Sequence, residues 1–150
     1  MLQSGDTAPN FTAVTTAGDT ISLSDYLGRN NVVLYFYPED DTPGCTVEAC
    51  EFRDAKHDYD AADAVILGVS TDDQEAHQAF TSKYSLNFPL LVDADKTICD
   101  LYGVPVRGHQ PARMTFLIDT DGVIRKVWEQ VDVRSHAADV ISQIKAMANS

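Results

Sequence analysis

An apolar strand followed by a proline- and glycine-rich loop and two cysteines constrains this chain more than any other feature. The run 32–37 is typical of a buried strand, and the loop after it brings Cys45 to the predicted start of a helix. Unpaired backbone N–H groups and the helix dipole at such a position favour a thiolate over a thiol. Because the thiolate is the nucleophilic form, the pattern predicts a reactive cysteine rather than a small buried one.

Strand-like and helix-like segments alternate along the 150 residues. The predicted strands are β-branched or aromatic runs bounded by turn residues, and they span 11–15, 20–23, 31–37, 64–69, 88–92, 114–118 and 123–128. The predicted helices span 44–61, 73–84, 93–102 and 135–147. Ser24 is the expected N-cap of a short helical turn, and the segment 70–72 that of the second helix. This order predicts an α/β fold in one domain over residues 1–150, with a mixed central sheet flanked by helices on both faces.

Charge and apolar pattern exclude several classes of function. The net charge of −12 repels nucleic acid and anionic membranes. No apolar run approaches the roughly 20 residues of a membrane span. The start of the chain lacks the basic and apolar regions of a signal peptide, so we expect a cytoplasmic protein.

The three cysteines indicate chemistry or burial rather than a disulfide scaffold, since their number is odd and small. Cys45 and Cys50 are not spaced like a usual zinc pair, and the four histidines are scattered along the sequence (His57, His77, His109 and His136). We therefore predict thiol chemistry without a metal or another cofactor.

The spacing of Pro38, Thr42 and Cys45, a Pro-x3-Thr-x2-Cys pattern, resembles the active-site motif of the peroxiredoxins. A second cysteine at Cys50 narrows the resemblance to the bacterioferritin-comigratory-protein, or peroxiredoxin Q, subgroup. The similarity extends over nearly the whole chain, including the segments 5–9, 33–38 and 116–122. It implies a thioredoxin-like fold with the N-terminal hairpin of the peroxiredoxins.

Reduction of a peroxide by a thiolate needs a nucleophile, an oriented O–O bond and stabilisation of the leaving oxygen. Cys45 is the predicted nucleophile and becomes a sulfenic acid. The backbone N–H groups of Gly44 and Cys45 are predicted to donate to the peroxide, and Pro43 has no N–H to compete with them. The Thr42 hydroxyl is expected to donate to the thiolate or to accept from the peroxide. Pro38 is expected to stiffen the loop and to shield the thiolate from water.

The loop contains no cation, and the resemblance implies that Arg113 faces the nucleophile, where its planar fork would hold thiolate and peroxide. A solvated arginine at a strand edge is the alternative. Glu48 either orients that arginine or is a solvated acid on the helix, and Arg53 is a second candidate cation. The segment 105–112 is shorter than in many subgroup members, which leaves the approach of Arg113 open. His109 within it is either a pH-tuning group or a plain exposed histidine.

Cys50 is predicted to resolve the sulfenic acid by forming a disulfide with Cys45. Residues five apart on an α-helix have Cα atoms roughly 8–9 Å apart, whereas a disulfide needs less than about 7 Å. The start of the helix must therefore unwind, and we expect residues 43–52 to differ between the reduced and oxidised forms. The resemblance implies thioredoxin, or a similar dithiol, as the reductant. Cys99 is expected to be a buried structural thiol, with an alternative resolving or intermolecular cysteine as the other interpretation.

The favoured function is a thiol-dependent peroxidase that acts on hydrogen peroxide and small organic hydroperoxides as a monomer. A mouth lined by Tyr37, Phe52 and Phe88 would suit bulkier hydroperoxides. Two alternatives stay open. A thiol–disulfide oxidoreductase would normally use Cys-x-x-Cys, and a peroxide-sensing redox switch could have the same site but would need no rapid turnover.

Overall fold

The fold is seen in a computed structural model that describes residues 2–148. The strands are β1 (Thr12–Val14), β2 (Thr20–Ser22), β3 (Asn31–Phe36), β4 (Ala64–Ser70), β5 (Leu90–Val92), β6 (Val106–Arg107), β7 (Gln110–Pro111), β8 (Met114–Ile118) and β9 (Ile124–Trp128). The helices are α1 (Pro43–Asp54), α2 (Lys56–Ala61), α3 (Gln74–Tyr84), α4 (Thr97–Tyr102) and α5 (His136–Ala148), with a short 3₁₀ turn at Leu23–Tyr26.

The central sheet has five strands in the order β5-β4-β3-β8-β9. Strand β3 lies in the middle, pairing in parallel with β4 and antiparallel with β8. The pairs β1–β2 and β6–β7 form two small antiparallel hairpins. The predicted mixed sheet and N-terminal hairpin are therefore confirmed.

Alternate residues of β3 face two separate apolar cores, because successive side chains of a strand point to opposite faces. Val32 and Leu34 pack with Cys99 on one face. Val33 and Tyr35 pack on the other face with Cys45 of α1 and with residues of α5. The two buried cysteines therefore lie on opposite sides of the sheet.

Two predicted helices have different limits. The helix predicted over 44–61 breaks at Ala55, whose backbone (φ −89°, ψ 0°) leaves the helical region between α1 and α2. The helix predicted over 93–102 begins only at Thr97, after Lys96 has taken a left-handed conformation (φ 64°). Asp93 is instead a capping group, since its carboxylate accepts the backbone N–H groups of Ile98 and Cys99 at 2.9 Å each.

Both predicted N-caps are wrong by one to three positions. Ser22, not Ser24, precedes the 3₁₀ turn and forms a capping box with Asp25. Asp73, not the segment 70–72, caps α3 by accepting the N–H of Ala76 at 2.8 Å. The strand predicted over 88–92 also shortens to Leu90–Val92, after the proline at position 89 that has no N–H for the ladder.

The short segment before β8 is a tight hairpin. Gly108 turns it with a positive φ of 64°, and the Thr71 hydroxyl donates to the backbone carbonyl of His109. The His109 side chain is exposed. This hairpin leads directly into Arg113, which immediately precedes β8 and so lies beside the carboxyl end of β3.

Candidate active site

Cys45 is the third residue of α1 and is only 1% exposed. The loop 37–42 connects the carboxyl end of β3 to this helix, which is where a sheet of this kind commonly places its site. The first helical hydrogen bond runs from the N–H of Thr46 to the carbonyl of Thr42, at 2.8 Å. Gly44 and Cys45 thus lie in the first turn, where N–H groups have no acceptor within the helix.

The Thr42 hydroxyl donates to the backbone carbonyl of Glu39 at 2.8 Å. Its proton is therefore not directed at the thiolate, and this part of the sequence prediction is not seen in the structure. Thr42 is the N-cap residue of α1, but its side chain makes no capping hydrogen bond to this helix within residues 2–148. The hydroxyl oxygen keeps lone pairs that could accept a hydrogen bond from a peroxide.

Arg113 bridges the nucleophile and a buried carboxylate. Its Nη2 lies 3.4 Å from the Sγ atom of Cys45, and its Nη1 donates to Glu48 Oε1 at 2.7 Å. Glu48 is 1% exposed and the Arg113 side chain 22% exposed. The alternative interpretations, a solvated arginine at a strand edge and a solvated acid on the helix, are therefore both wrong. Burial opposes the charge of Arg113, but Glu48 and Cys45 raise the pKa of Arg113 above its ordinary value and keep it cationic.

Burial raises the pKa of Glu48 to about 7, and the charge of Arg113 and its hydrogen bond limit that rise. Glu48 therefore changes charge close to neutral pH. Its second oxygen, Oε2, is buried and has no hydrogen-bond partner among the described residues. A carboxylate in this state is well placed to respond to a change in the charge of the site.

Gly44 allows the guanidinium to approach. A Cβ atom added at this glycine would lie 3.1 Å from Arg113 Nη2, closer than an ordinary contact. This steric requirement was missed by sequence reasoning, which treated Gly44 only as a backbone donor. It depends on a residue nearly 70 positions away, so no local pattern could have indicated it.

The second candidate cation is not brought to the nucleophile. Arg53 donates from Nη1 to the Tyr84 carbonyl at 2.6 Å and from Nε to Asp54 at 3.0 Å. It lies one turn after Cys50 on α1 and interacts electrostatically with that cysteine. Arg53 therefore ties α1 to the end of α3.

The structure holds all three cysteines as free thiols. Cys45 and Cys50 both lie within the continuous helix α1, so a disulfide between them requires this helix to open. Cys99 is completely buried on the other face of the sheet. Burial, and then the Asp93 carboxylate, raise the pKa of Cys99 well above its usual range. These facts fit a structural thiol rather than a resolving one.

The three aromatic side chains considered for an active-site mouth do not line one, because Tyr37, Phe52 and Phe88 are all buried. They pack around Tyr35, whose ring centroid lies 4.8 Å from that of Phe52 and 5.4 Å from that of Tyr37. The cluster forms the core behind Cys45. It supports the site and does not line an entrance.

Sequence reasoning also missed the attachments of the loop 37–42. Asp40 contacts His77 of α3, and Asp41 binds Lys83 and the Tyr84 hydroxyl, each at 2.8 Å. The adjacent acidic pair was the only available signal, and it does not identify partners about 40 residues further on.

The geometry defines a buried cysteine at a helix N-terminus, bound to an arginine and set on a thioredoxin-like sheet. The AhpC/TSA family model matches residues 4–127. Peroxiredoxin Bcp of Bacillus subtilis is 41% identical over 156 aligned positions, covering 98% of both chains. A Coxiella burnetii protein provisionally named peroxiredoxin bcp is 47% identical, covering 95% of this chain and 99% of its own.

Solved structures of similar proteins point to the same family. Peroxidoxin BcpB from Mycobacterium tuberculosis superposes with a TM-score of 0.91 at 34% identity, covering 98% of this chain and 99% of its own. A PrxQ variant from Xylella fastidiosa gives 0.92 at 33%, covering 99% and 98%. The chain belongs to the AhpC/TSA family. Within it, the chain is a peroxiredoxin of the Bcp or peroxiredoxin Q subgroup, a peroxidase-type oxidoreductase with the predicted thioredoxin-like fold.

Among residues 2–148, no helix is both long and apolar enough to cross a membrane.

Proposed function

We propose that this chain reduces hydrogen peroxide and small organic hydroperoxides through a sulfenic acid on Cys45. The observation that carries the proposal is the contact of Arg113 with both Cys45 and Glu48 at the first turn of α1. A cation and free N–H groups at one sulfur stabilise the thiolate, and they also favour the negative charge that develops on a peroxide oxygen.

In the first step the Cys45 thiolate attacks one peroxide oxygen, and the O–O bond breaks. The attacked oxygen stays on sulfur as a sulfenic acid, and the other oxygen leaves with the bond electrons and takes up a proton. Arg113 and the N–H groups of Gly44 and Cys45 stabilise this leaving oxygen. Pro43 adds no competing donor, and Pro38 shields the sulfur from water. The Thr42 hydroxyl oxygen accepts a hydrogen bond from the peroxide.

In the second step Cys50 attacks the sulfenic sulfur, a disulfide forms and water leaves. Both cysteines lie on one helix, so α1 unwinds around residues 43–52 before the sulfurs meet. A dithiol reductant of the thioredoxin type then restores both thiols by exchange. The cycle needs no metal or other cofactor.

One chain and one domain supply Cys45, Cys50, Glu48 and Arg113, and we propose that the enzyme works as a monomer in the cytoplasm. A reducing compartment keeps its thiols ready for reaction. The charge of −12 disfavours nucleic acid and anionic membranes as partners.

The test is peroxide consumption with thioredoxin, thioredoxin reductase and NADPH. We expect Cys45→Ser to abolish turnover and Cys50→Ser to stop after one oxidation, while Cys99→Ala, the control on the other face of the sheet, turns over like the wild type. If the wild type consumes one equivalent and stops, a peroxide-sensing switch or another reductant replaces this proposal. Turnover by Cys45→Ser would contradict it outright.

A further inference from the structure

The loop 37–42 is held by a buried polar cluster that the proposed chemistry does not use. The Asp40 carboxylate accepts the Tyr37 hydroxyl at 2.5 Å on one oxygen. Its other oxygen lies 2.6 Å from Nδ1 of His77, and the Asp40 backbone N–H donates to Asp72 at 2.8 Å. The Asp40 side chain is 5% exposed and that of His77 is completely buried. The loop between β3 and α1 is thus attached to α3 through its middle residue.

The hydrogen-bond partners of His77 fix where its protons lie. Nε2 is 2.8 Å from the backbone carbonyl of Leu91, and a carbonyl only accepts, so Nε2 carries a proton. Nδ1 faces a carboxylate, so a proton must also lie between Nδ1 and Asp40. Burial opposes a charged ring, but the hydrogen bond and charge of Asp40, helped by Leu91 and Asp72, raise the pKa of His77 above its ordinary value.

The same cluster has the composition of a cation site, since ligand atoms of Asp40, Asp72 and His77 lie within 4.8 Å of one another. Their atoms are already occupied by protein hydrogen bonds. Asp72 accepts the Ser70 hydroxyl at 2.6 Å on the same oxygen that binds the Asp40 N–H. A cation would have to displace these hydrogen bonds. The cluster of Tyr37, Asp40, Asp72 and His77 instead attaches the loop 37–42 to α3, and we call it the clamp.

We infer that His77 is a positioning residue for peroxide reduction, acting through Asp40 on the loop that carries Pro38 and Thr42. The inference rests on the proposed function, in which these two residues shield the sulfur and contact the peroxide. Displacement of a reacting group by about 1 Å can cost roughly 100-fold in rate. Asp41 supports the same attachment through Lys83 and Tyr84 of α3.

The clamp predicts a pH dependence. Among the described residues, the ionisable groups that act on the ring are Asp40 from the loop and Asp72 from the segment after β4, and Tyr37 is bonded to Asp40. The cap Asp73 lies one turn before His77 on α3, and β5 supplies the Leu91 carbonyl. Because the folded-state pKa of His77 is raised, the clamp is intact below the ordinary histidine value and is lost as pH rises through the folded-state value. We therefore expect the rate constant for Cys45 oxidation to fall on the alkaline side.

The experiment measures the second-order rate constant for oxidation of Cys45 by hydrogen peroxide from about pH 5 to about pH 9, using the full chain. His77→Leu leaves Asp40 buried without its partner, and we expect a loss of roughly 10- to 100-fold at neutral pH. The matched control is His136→Leu, because His136 is equally buried but binds Thr115 on β8 and not the loop. We expect this control to stay within about threefold of the wild type.

Asp40→Asn tests the clamp without relying on a destabilised variant. The new amide oxygen would accept from Tyr37, and the amide nitrogen would donate to a neutral Nδ1, so the contact no longer needs the extra proton. We expect a near-wild-type rate at neutral pH and no alkaline fall. This variant decides the matter even if His77→Leu does not fold.

Three outcomes would overturn the inference: a wild-type rate in His77→Leu, equal losses in the two leucine variants at equal stability, or an unchanged alkaline fall in Asp40→Asn. If the wild type itself does not react with peroxide, the proposed function fails. If the wild type reacts and only these variants disagree, the positioning role alone is wrong.

Discussion

Cys45 and Cys99 occupy similar local positions but have opposite surroundings. Each is the third residue of its helix and each is buried, at 1% and 0% exposure. In α4 the Asp93 carboxylate accepts the first-turn N–H groups and lies beside the Cys99 thiol. In α1 the first-turn N–H groups are left for a ligand, and a guanidinium contacts the sulfur. We therefore expect the charge that reaches the first turn, and not the helix N-terminus alone, to decide whether a cysteine at this position reacts.

The largest expected effect comes from removing the cation. Arg113→Met leaves Cys45 at a helix N-terminus without a guanidinium, and we expect its oxidation by peroxide to slow by roughly 100- to 1,000-fold, as for loss of a preorganised donor. Arg113→Lys should not restore the rate, because one ammonium cannot replace a planar fork that contacts two partners. Stopped-flow measurement of the rate constant checks both. A full rescue by lysine would show that charge alone is sufficient.

Glu48, the carboxyl group beside Cys45, gives this side of the comparison a pH-dependent stability that can be measured. Glu48 has a folded-state pKa of about 7 against an ordinary value of 4.5. A raised pKa means that its contribution to stability is complete below about 4.5 and is lost as pH rises through about 7. Between these values the wild type should lose about 3 kcal/mol of unfolding free energy that Glu48→Gln does not lose.

Urea unfolding of wild type and Glu48→Gln at the two ends of this range measures the difference. The other ionisable groups are common to both proteins, so their contributions cancel. Parallel pH profiles would mean that Glu48 is already ionised at the acidic end.

A smaller effect is expected from uncapping α4. Asp93→Ala leaves the N–H groups of Ile98 and Cys99 buried and unpaired, and we expect unfolding free energy to fall by about 2 kcal/mol. Peroxidase turnover should be unchanged, since Asp93 lies on the other side of the sheet from Cys45. Chemical denaturation and turnover are the measurements. A peroxide-reactive Cys99 in the folded variant would mean that Asp93, and not burial, keeps this thiol inert.

The parts that sequence predicts well are those with a local signal. The strand before the loop, the helix at Cys45 and the late hairpin follow from apolar runs and turn residues that lie next to one another. Arg113 is predicted only through the family resemblance, because its contact with Cys45 depends on the tertiary structure. The parts that failed depend on distant partners: Asp93 displaces the start of α4, and the cluster at His77 joins residues 37 positions apart. No periodicity in one sequence carries that information.

Gly44→Ala gives the smallest effect and separates the two cysteine environments most directly. Alanine is favoured over glycine within a helix by up to about 1 kcal/mol, so α1 should become more stable. Its Cβ would stand 3.1 Å from Arg113 Nη2, and the guanidinium would have to shift by a few tenths of an ångström. We expect the rate of Cys45 oxidation to fall by about tenfold while stability rises, because transition-state contacts weaken with such displacements.

A double-mutant cycle supplies the control: once Arg113→Met has removed the guanidinium, Gly44→Ala should cost no further rate. An equal loss in both backgrounds would mean that Gly44→Ala acts on the backbone N–H of this residue and not through the arginine. The difference between the environments of Cys45 and Cys99 would then lie in the first turn of the helix itself.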